Sequence, residues 1–162
     1  MKTLELNVEL RSENAVRIRR ACRGILVRDG SILLSYAQVG DLYMIPGGGK
    51  EGEESDSECC AREVSEETGL IIRPTECVLE IVEYHEKMQH INRYFTAEVL
   101  GRAERKPTDL EQRLNMGPRW VPIEEALSIF GTYTETADVR DMRRWLYMRE
   151  YTALHELFGN KD

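Results

Sequence analysis

Apolar and polar residues alternate through Leu4, Leu6, Val8 and Leu10, which predicts a short strand over Thr3–Leu10, closed by a charged break at residues 11–14. Residues 16–27 are β-rich and interleaved with Arg17, Arg19, Arg20 and Arg23. An Asp29-Gly30 turn then leads into Ser31–Ala37, the pattern of a hairpin. Asp41–Ile45 is a brief strand stopped by Pro46. Strand character returns over Leu70–Arg73, Glu76–Glu86 and Ile91–Leu100, with Lys87–His90 short enough to link an antiparallel pair. After a polar loop over Gly101–Gly117, Arg119–Pro122 is a last strand and Pro122 can open a helix over Ile123–Phe130. Val139, Met142, Leu146, Leu154 and Phe158 mark a terminal helix over about residues 136–158.

One helix stands apart from this mostly stranded pattern. Ser55 lies three residues before Glu58, a capping-box spacing, and Gly69 sits where a helix stops, so a helix is predicted over Ser55–Thr68. Cys60, Ala61, Val64 and Thr68 form a small, mostly apolar stripe fit to lie on a sheet, and Glu63, Glu66 and Glu67 form the stripe beside it. Carboxylates three and four apart on a helix repel by a few tenths of a kcal/mol per pair. Such a stripe is either a plain solvated acidic face or a seat for a hard divalent cation, which binds oxygen ligands and keeps positions for water and phosphate. Strands in hairpins, with one helix between strand groups and more at the end, give an α+β fold class.

Composition narrows the function classes. The length of 162 residues suits a single domain over 1–162, and 22 basic against 29 acidic residues give a net charge of −7, which disfavours nucleic acid and anionic membranes as partners. An acidic protein acting on phosphates needs a metal or a local basic patch. The arginines of residues 17–23 could supply that patch or be an ordinary solvated face. Cys22, Cys59, Cys60 and Cys77 lack metal-ligand spacing and read as reduced thiols. No signal-peptide core or membrane span is visible, so the expected setting is soluble and cytoplasmic.

The glycines and the arginine around the acidic helix resolve the choice. Gly48, Glu54, Arg62, Glu63, Val64, Glu66, Glu67, Gly69 and Leu70 fill every fixed place of a pattern that resembles the Nudix (MutT-like) hydrolase signature. Coincidence at average residue usage is on the order of one in a billion per start position. Gly52 departs from the pattern by one place. Subfamily markers are absent: Glu86 stands where ADP-ribose hydrolases commonly carry proline, and Met88 where dinucleoside polyphosphate hydrolases often carry tyrosine.

The resemblance implies an α/β/α sandwich around a mixed sheet, with a core over about residues 17–130 and an added C-terminal helix. It implies Mg²⁺- or Mn²⁺-dependent hydrolysis of a phosphoanhydride bond in a nucleoside diphosphate linked to another group, such as a nucleoside triphosphate or a nucleotide sugar. Glu63, Glu67 and Glu66, with the Gly47 carbonyl, are the implied metal ligands. Glu66, Arg62 and Glu111 are the implied catalytic set: Arg62 orients a glutamate, and the base is either Glu66, which otherwise shares the metal, or a distant-loop carboxylate, with Glu111 the candidate and Asp109 and Glu104 behind it. Gly48, Gly49 and Arg23 are expected to meet the substrate, and Glu54 to hold Arg62 or the loop from behind. The partner expected is a small nucleotide, and the terminal helix offers a homodimer surface. Two other readings of the fold are a ligand-sensing module without turnover and an isoprenoid diphosphate isomerase, in which Cys22 would have to serve as the extra cysteine.

Overall fold

The computed structural model describes residues 1–14, 16–138 and 140–159, so the predicted helix position Val139 lies outside the described residues. In chain order the strands are β1 (Lys2–Leu6), β2 (Arg17–Ile25), β3 (Val27–Arg28), β4 (Ser31–Ala37), β5 (Leu42–Met44), β6 (Gly47–Gly49), β7 (Leu70–His85), β8 (Met88–Arg102) and β9 (Met116–Pro122). The α-helices are α1 (Asp56–Thr68), α2 (Asp109–Arg113), α3 (Ile123–Gly131) and α4 (Met142–Phe158). The class is α+β, as expected. The chain divides into two compact units, one of Met1–Leu26 with Pro46–Lys106, the other of Val27–Ile45 with Pro107–Asp162.

The first unit is built on a five-stranded mixed sheet of order β1-β7-β8-β2-β6. β1 runs parallel to β7 and β2 parallel to β8, while β7–β8 and β2–β6 are antiparallel. Helix α1 lies against one face. A Cβ built at Gly24 of β2 would sit 2.8 Å from Val64 Cγ2 and 3.8 Å from Cys60 Sγ, so the small stripe of the helix meets a strand that has no side chain there. Cys59, Cys60, Val64 and Thr68 are the buried helix positions.

Several predicted boundaries move, each for a local reason. β1 ends at Leu6, short of the predicted Leu10, because Asn7 takes the left-handed conformation (φ 56°, ψ 40°) that asparagine tolerates, and Val8–Leu10 form a 3₁₀ turn. The expected hairpin onto Ser31–Ala37 is made by Val27–Arg28 alone (Val27↔Ile32, Arg28↔Ser31). Ala21 to Ile25 are all buried, so β2 needs cover on both faces and joins the mixed sheet instead. β7 is continuous through Pro74, where the register with β8 shifts between Pro74 and Glu76 and the missing N–H is absorbed. The β7–β8 turn is Glu86-Lys87, with Glu86 left-handed at φ 48°, so the link is shorter than Lys87–His90 and His90 belongs to the strand.

In the second unit, β4 pairs antiparallel with β3, β5 and β9. The stretch expected to be loop contains α2, capped by Thr108. α4 begins at Met142 because Asp141 caps it, accepting from the N–H groups of Arg143 and Arg144 at 2.8 and 3.4 Å; a 3₁₀ turn over Thr132–Glu135 occupies the preceding stretch. α4 is integral to this unit. Tyr147, 1 % exposed, packs edge-on to Phe130 and its hydroxyl accepts from the Tyr43 N–H at 3.1 Å, while buried Glu150 accepts from the Ile45 N–H at 2.8 Å. No described helix is long and apolar enough to cross a membrane.

Candidate active site

The site is assembled within the first unit where β6 feeds the start of α1. The glycines 47–49 are not a loose loop: they pair antiparallel with β2, Gly49 opposite Ala21, Gly48 opposite Cys22 and Gly47 opposite Arg23. Two of them are required by space. At Gly47 (φ 148°) a Cβ would lie 2.1 Å from the Cys22 carbonyl oxygen and 2.6 Å from Arg23 Cα, both backbone atoms. At Gly48 a Cβ would lie 2.4 Å from Glu63 Oε2, so the hydrogen of Gly48 leaves the space that the carboxylate fills.

Ser55 starts α1 with both halves of the predicted capping box: the Glu58 N–H donates to Ser55 Oγ at 3.1 Å and the Ser55 N–H donates to Glu58 Oε2 at 2.7 Å. Gly69 ends it in the left-handed conformation at φ 74°. Past that end the chain returns, and Arg105 Nε donates to the Glu67 carbonyl at 2.9 Å while the Lys106 N–H donates to the Glu66 carbonyl at 2.9 Å. These contacts tie down carbonyls that a helix end leaves over. Nothing in the spacing of residues 103–106 pointed to this role.

Arg62 is the hub. Its Nε and Nη2 grip Glu54 at 3.0 and 2.8 Å, Nη2 also donates to the Gly49 carbonyl at 3.1 Å, and Nη1 donates to Glu63 Oε1 at 2.9 Å and Glu66 Oε2 at 3.3 Å. The third glutamate is held separately, Glu67 Oε2 accepting from the Gly47 N–H at 3.2 Å. Hydrogen bonds from Arg62, against the pull of burial, hold the Glu54 carboxyl down at about 2, and the same carboxylates raise the guanidinium. Burial pushes Glu63 up despite Arg62. Glu63 is 16 % exposed and Glu66 36 %, so of these two Glu66 is the more open to solvent.

The donor set fits a hard divalent cation: three carboxylates on one helix, two of them converging on a single Arg62 nitrogen, beside a glycine strand with a space only a hydrogen leaves free. At the helix start a second charge chain, Lys50–Asp56 at 2.9 Å and Arg93 with both Asp56 and Glu80, braces α1 on β8. Burial opposes it, but the bonds from Lys50 and Arg93 lower Asp56.

Two of the expected residues are held by partners of their own. Arg23, expected at the substrate, is buried at 7 % exposure and donates from Nε to Asn92 Oδ1 at 3.1 Å. Its side chain starts beside Gly47, where a Cβ would lie 2.9 Å from Arg23 Cγ, and the exposed arginine beside the glycines is Arg19, whose Nη2 lies 3.7 Å from where a Gly49 Cβ would be. Glu111 belongs to the second unit, where its carboxylate accepts from the Thr108 N–H at 2.8 Å in the capping box of α2. The Thr108-x-x-Glu111 spacing was the sequence signal for that contact. Cys22 is buried beside Cys59; that thiol contact and burial raise it, unlike an accessible catalytic cysteine. All four cysteines are free thiols.

The NUDIX domain profile matches residues 18–146. Among solved structures, a NUDIX hydrolase from Nitrosomonas europaea is 19 % identical with a TM-score of 0.59, over 85 % of this chain and 90 % of that one. A UDP-X diphosphatase is 18 % identical with a TM-score of 0.60, over 91 % of this chain and 65 % of that one. An ADP-ribose pyrophosphatase from Streptococcus suis is 13 % identical with a TM-score of 0.53, over 89 % of this chain and 94 % of that one. At these identities the likeness is one of fold. No curated protein sequence matches the chain.

Proposed function

We propose that this chain, which belongs to the Nudix domain family, hydrolyses a phosphoanhydride bond in a nucleoside diphosphate linked to another group, using Mg²⁺ or Mn²⁺ held by Glu63, Glu66, Glu67 and the Gly47 carbonyl. The observation that carries the reading is the grip of Arg62 on Glu54, Glu63 and Glu66 at once. A structureless acidic helix face would leave those side chains in water, whereas here an arginine is fully spent on aiming them. When bound, the ion supplies Lewis-acid neutralisation of phosphate charge and eases deprotonation of water.

The chain's own residues divide the remaining work. Glu66 takes the proton of the attacking water; the water oxygen bonds to phosphorus as the bridging P–O bond breaks, giving two phosphorylated products. Arg62 is a positioning residue, and Glu54 fixes its plane. The Gly47 N–H orients Glu67, and Gly48 leaves Glu63 its place. Arg19, exposed beside Gly49, receives a substrate phosphate.

Two fold neighbours, a UDP-X diphosphatase and an ADP-ribose pyrophosphatase, support a nucleotide-linked diphosphate as substrate. The family profile runs across segments of both units, which supports one functional domain over 1–162. A cytoplasmic setting agrees with four free thiols. The test is incubation with Mg²⁺ and a panel of nucleoside triphosphates, nucleotide sugars and ADP-ribose, with products separated by chromatography. Cleavage of at least one member into two phosphorylated products is expected; a panel left intact overturns the proposal.

A further inference from the structure

The sheet of the first unit carries a second set of metal-type donors on the face away from α1. Arg93 of β8 reaches Asp56 at the start of α1, so its neighbour Asn92, and His90 two residues before that, point to the opposite face. In the antiparallel register His90 stands opposite Glu83, and His85 follows Glu83 by two residues on the same face. The tight Glu86-Lys87 turn closes this end of the hairpin and brings the two imidazoles edge to face, their centroids 5.1 Å apart. One ligand atom from each of Glu83, His85 and His90 lies within 4.8 Å of the others.

We propose that Glu83, His85 and His90 bind a borderline divalent transition-metal ion of the Zn²⁺ class, at a site separate from the glutamates of α1. Two imidazoles and one carboxylate suit Zn²⁺ and its neighbours and do not suit Mg²⁺, which takes oxygen ligands and water. In a tetrahedral site with bonds of about 2.1 Å the donors stand about 3.4 Å apart, so side-chain torsions alone close the set. His85 Nε2 is already 3.7 Å from Glu83 Oε1. The carboxylate is fixed from behind: Asn92 Nδ2 donates to Glu83 Oε2 at 3.1 Å, and Asn92 Oδ1 accepts from Arg23 Nε at 3.1 Å. Such outer partners orient metal ligands. Glu83 is 1 % exposed, the His85 side chain 10 % and His90 is half-buried, so the rigid ligand is inside and the approach is from the His90 side. Met88, whose sulfur rests on His90 Nε2, puts a soft atom at the rim.

The chain has three histidines, which makes the test direct. The chelator-treated full chain, labelled with ¹⁵N, is titrated with Zn²⁺ while imidazole correlations are recorded. His85 and His90 are expected to shift together and saturate at one equivalent, with His155 unmoved, and excess Mg²⁺ should not reverse the shifts. They should persist in Glu67→Gln and the bound equivalent should be lost in His85→Asn/His90→Asn. Shifts at fewer than both of these histidines, or shifts abolished by Glu67→Gln, overturn the proposal; both readings come from chains with the native histidines and stand whether or not the double variant folds.

Discussion

Arg62 and Glu54 face each other as a two-pronged ion pair, Nε to Oε2 at 3.0 Å and Nη2 to Oε1 at 2.8 Å. That pairing fixes the guanidinium plane, which leaves Nη1 aimed at Glu63 and Glu66. Replacing Glu54 by Gln removes the charge and one of the two acceptors. Since contacts of this kind cost about 10- to 100-fold in activity or metal affinity when lost, kcat should fall in that range with KM little changed, and Glu54→Asp should fail to restore it because the shorter side chain cannot span the fork. A KM rise alone would argue for a direct substrate contact instead.

The same pair sets an acid limit on stability. Glu54 titrates at about 2 in the fold against an ordinary value of 4.5, because Arg62 donates to its charged form. A depressed carboxyl contributes stability that is complete above the unfolded value and is lost as pH falls from 4.5 towards about 2. Glu63, raised by burial, works in the opposite sense and blunts the loss. Urea midpoints of metal-free protein should therefore drop below pH 4.5 in the native chain and drop less in Glu54→Gln; parallel curves would remove Glu54 from the explanation.

Adjacent glycines should answer alanine differently. Gly47→Ala drives a Cβ into the Cys22 carbonyl and Arg23 backbone at positive φ, and should destabilise by about 3–5 kcal/mol, read from denaturant midpoints. Gly48→Ala meets only the end of Glu63, so the fold should lose less than about 1.5 kcal/mol while activity falls, because the displaced atom belongs to a proposed ligand. Equal stability losses at both positions would contradict the packing described.

The proton-accepting role separates two glutamates. Glu66→Gln should lower kcat by about 10²- to 10⁴-fold, the usual range for a general base. Glu111→Gln keeps a side chain that can still cap α2 and should leave kcat within about threefold. The reverse ranking would move the base to Glu111.

Much of this was legible in the order of residues, and the limits have physical causes. The helix, its caps and the glutamate stripe follow from contacts three and four residues apart, so Ser55, Glu58, Arg62 and Gly69 spoke for themselves. Strand pairing depends on partners far along the chain. Hence the Asp29-Gly30 turn by itself predicts a hairpin of β2 with β4, although burial of Ala21–Ile25 sends β2 to β8. Arg19 and Arg23 share one face of β2 and both border the glycines, and only their distant partners separate them: Arg23 is buried on Asn92 while Arg19 stays exposed. Arg105, clasping the end of α1 from 38 residues beyond Glu67, had no local signal at all.

The measurement closest to the central claim is the rate of phosphoanhydride cleavage at saturating Mg²⁺ in the native chain and in Glu67→Gln. Loss of a principal cation ligand should cost about 4 kcal/mol of transition-state stabilisation, or about a thousandfold in kcat, with the fold unchanged by circular dichroism. A Glu67→Gln chain that turns over as fast as the native one would contradict the assignment of the α1 carboxylates to the cation.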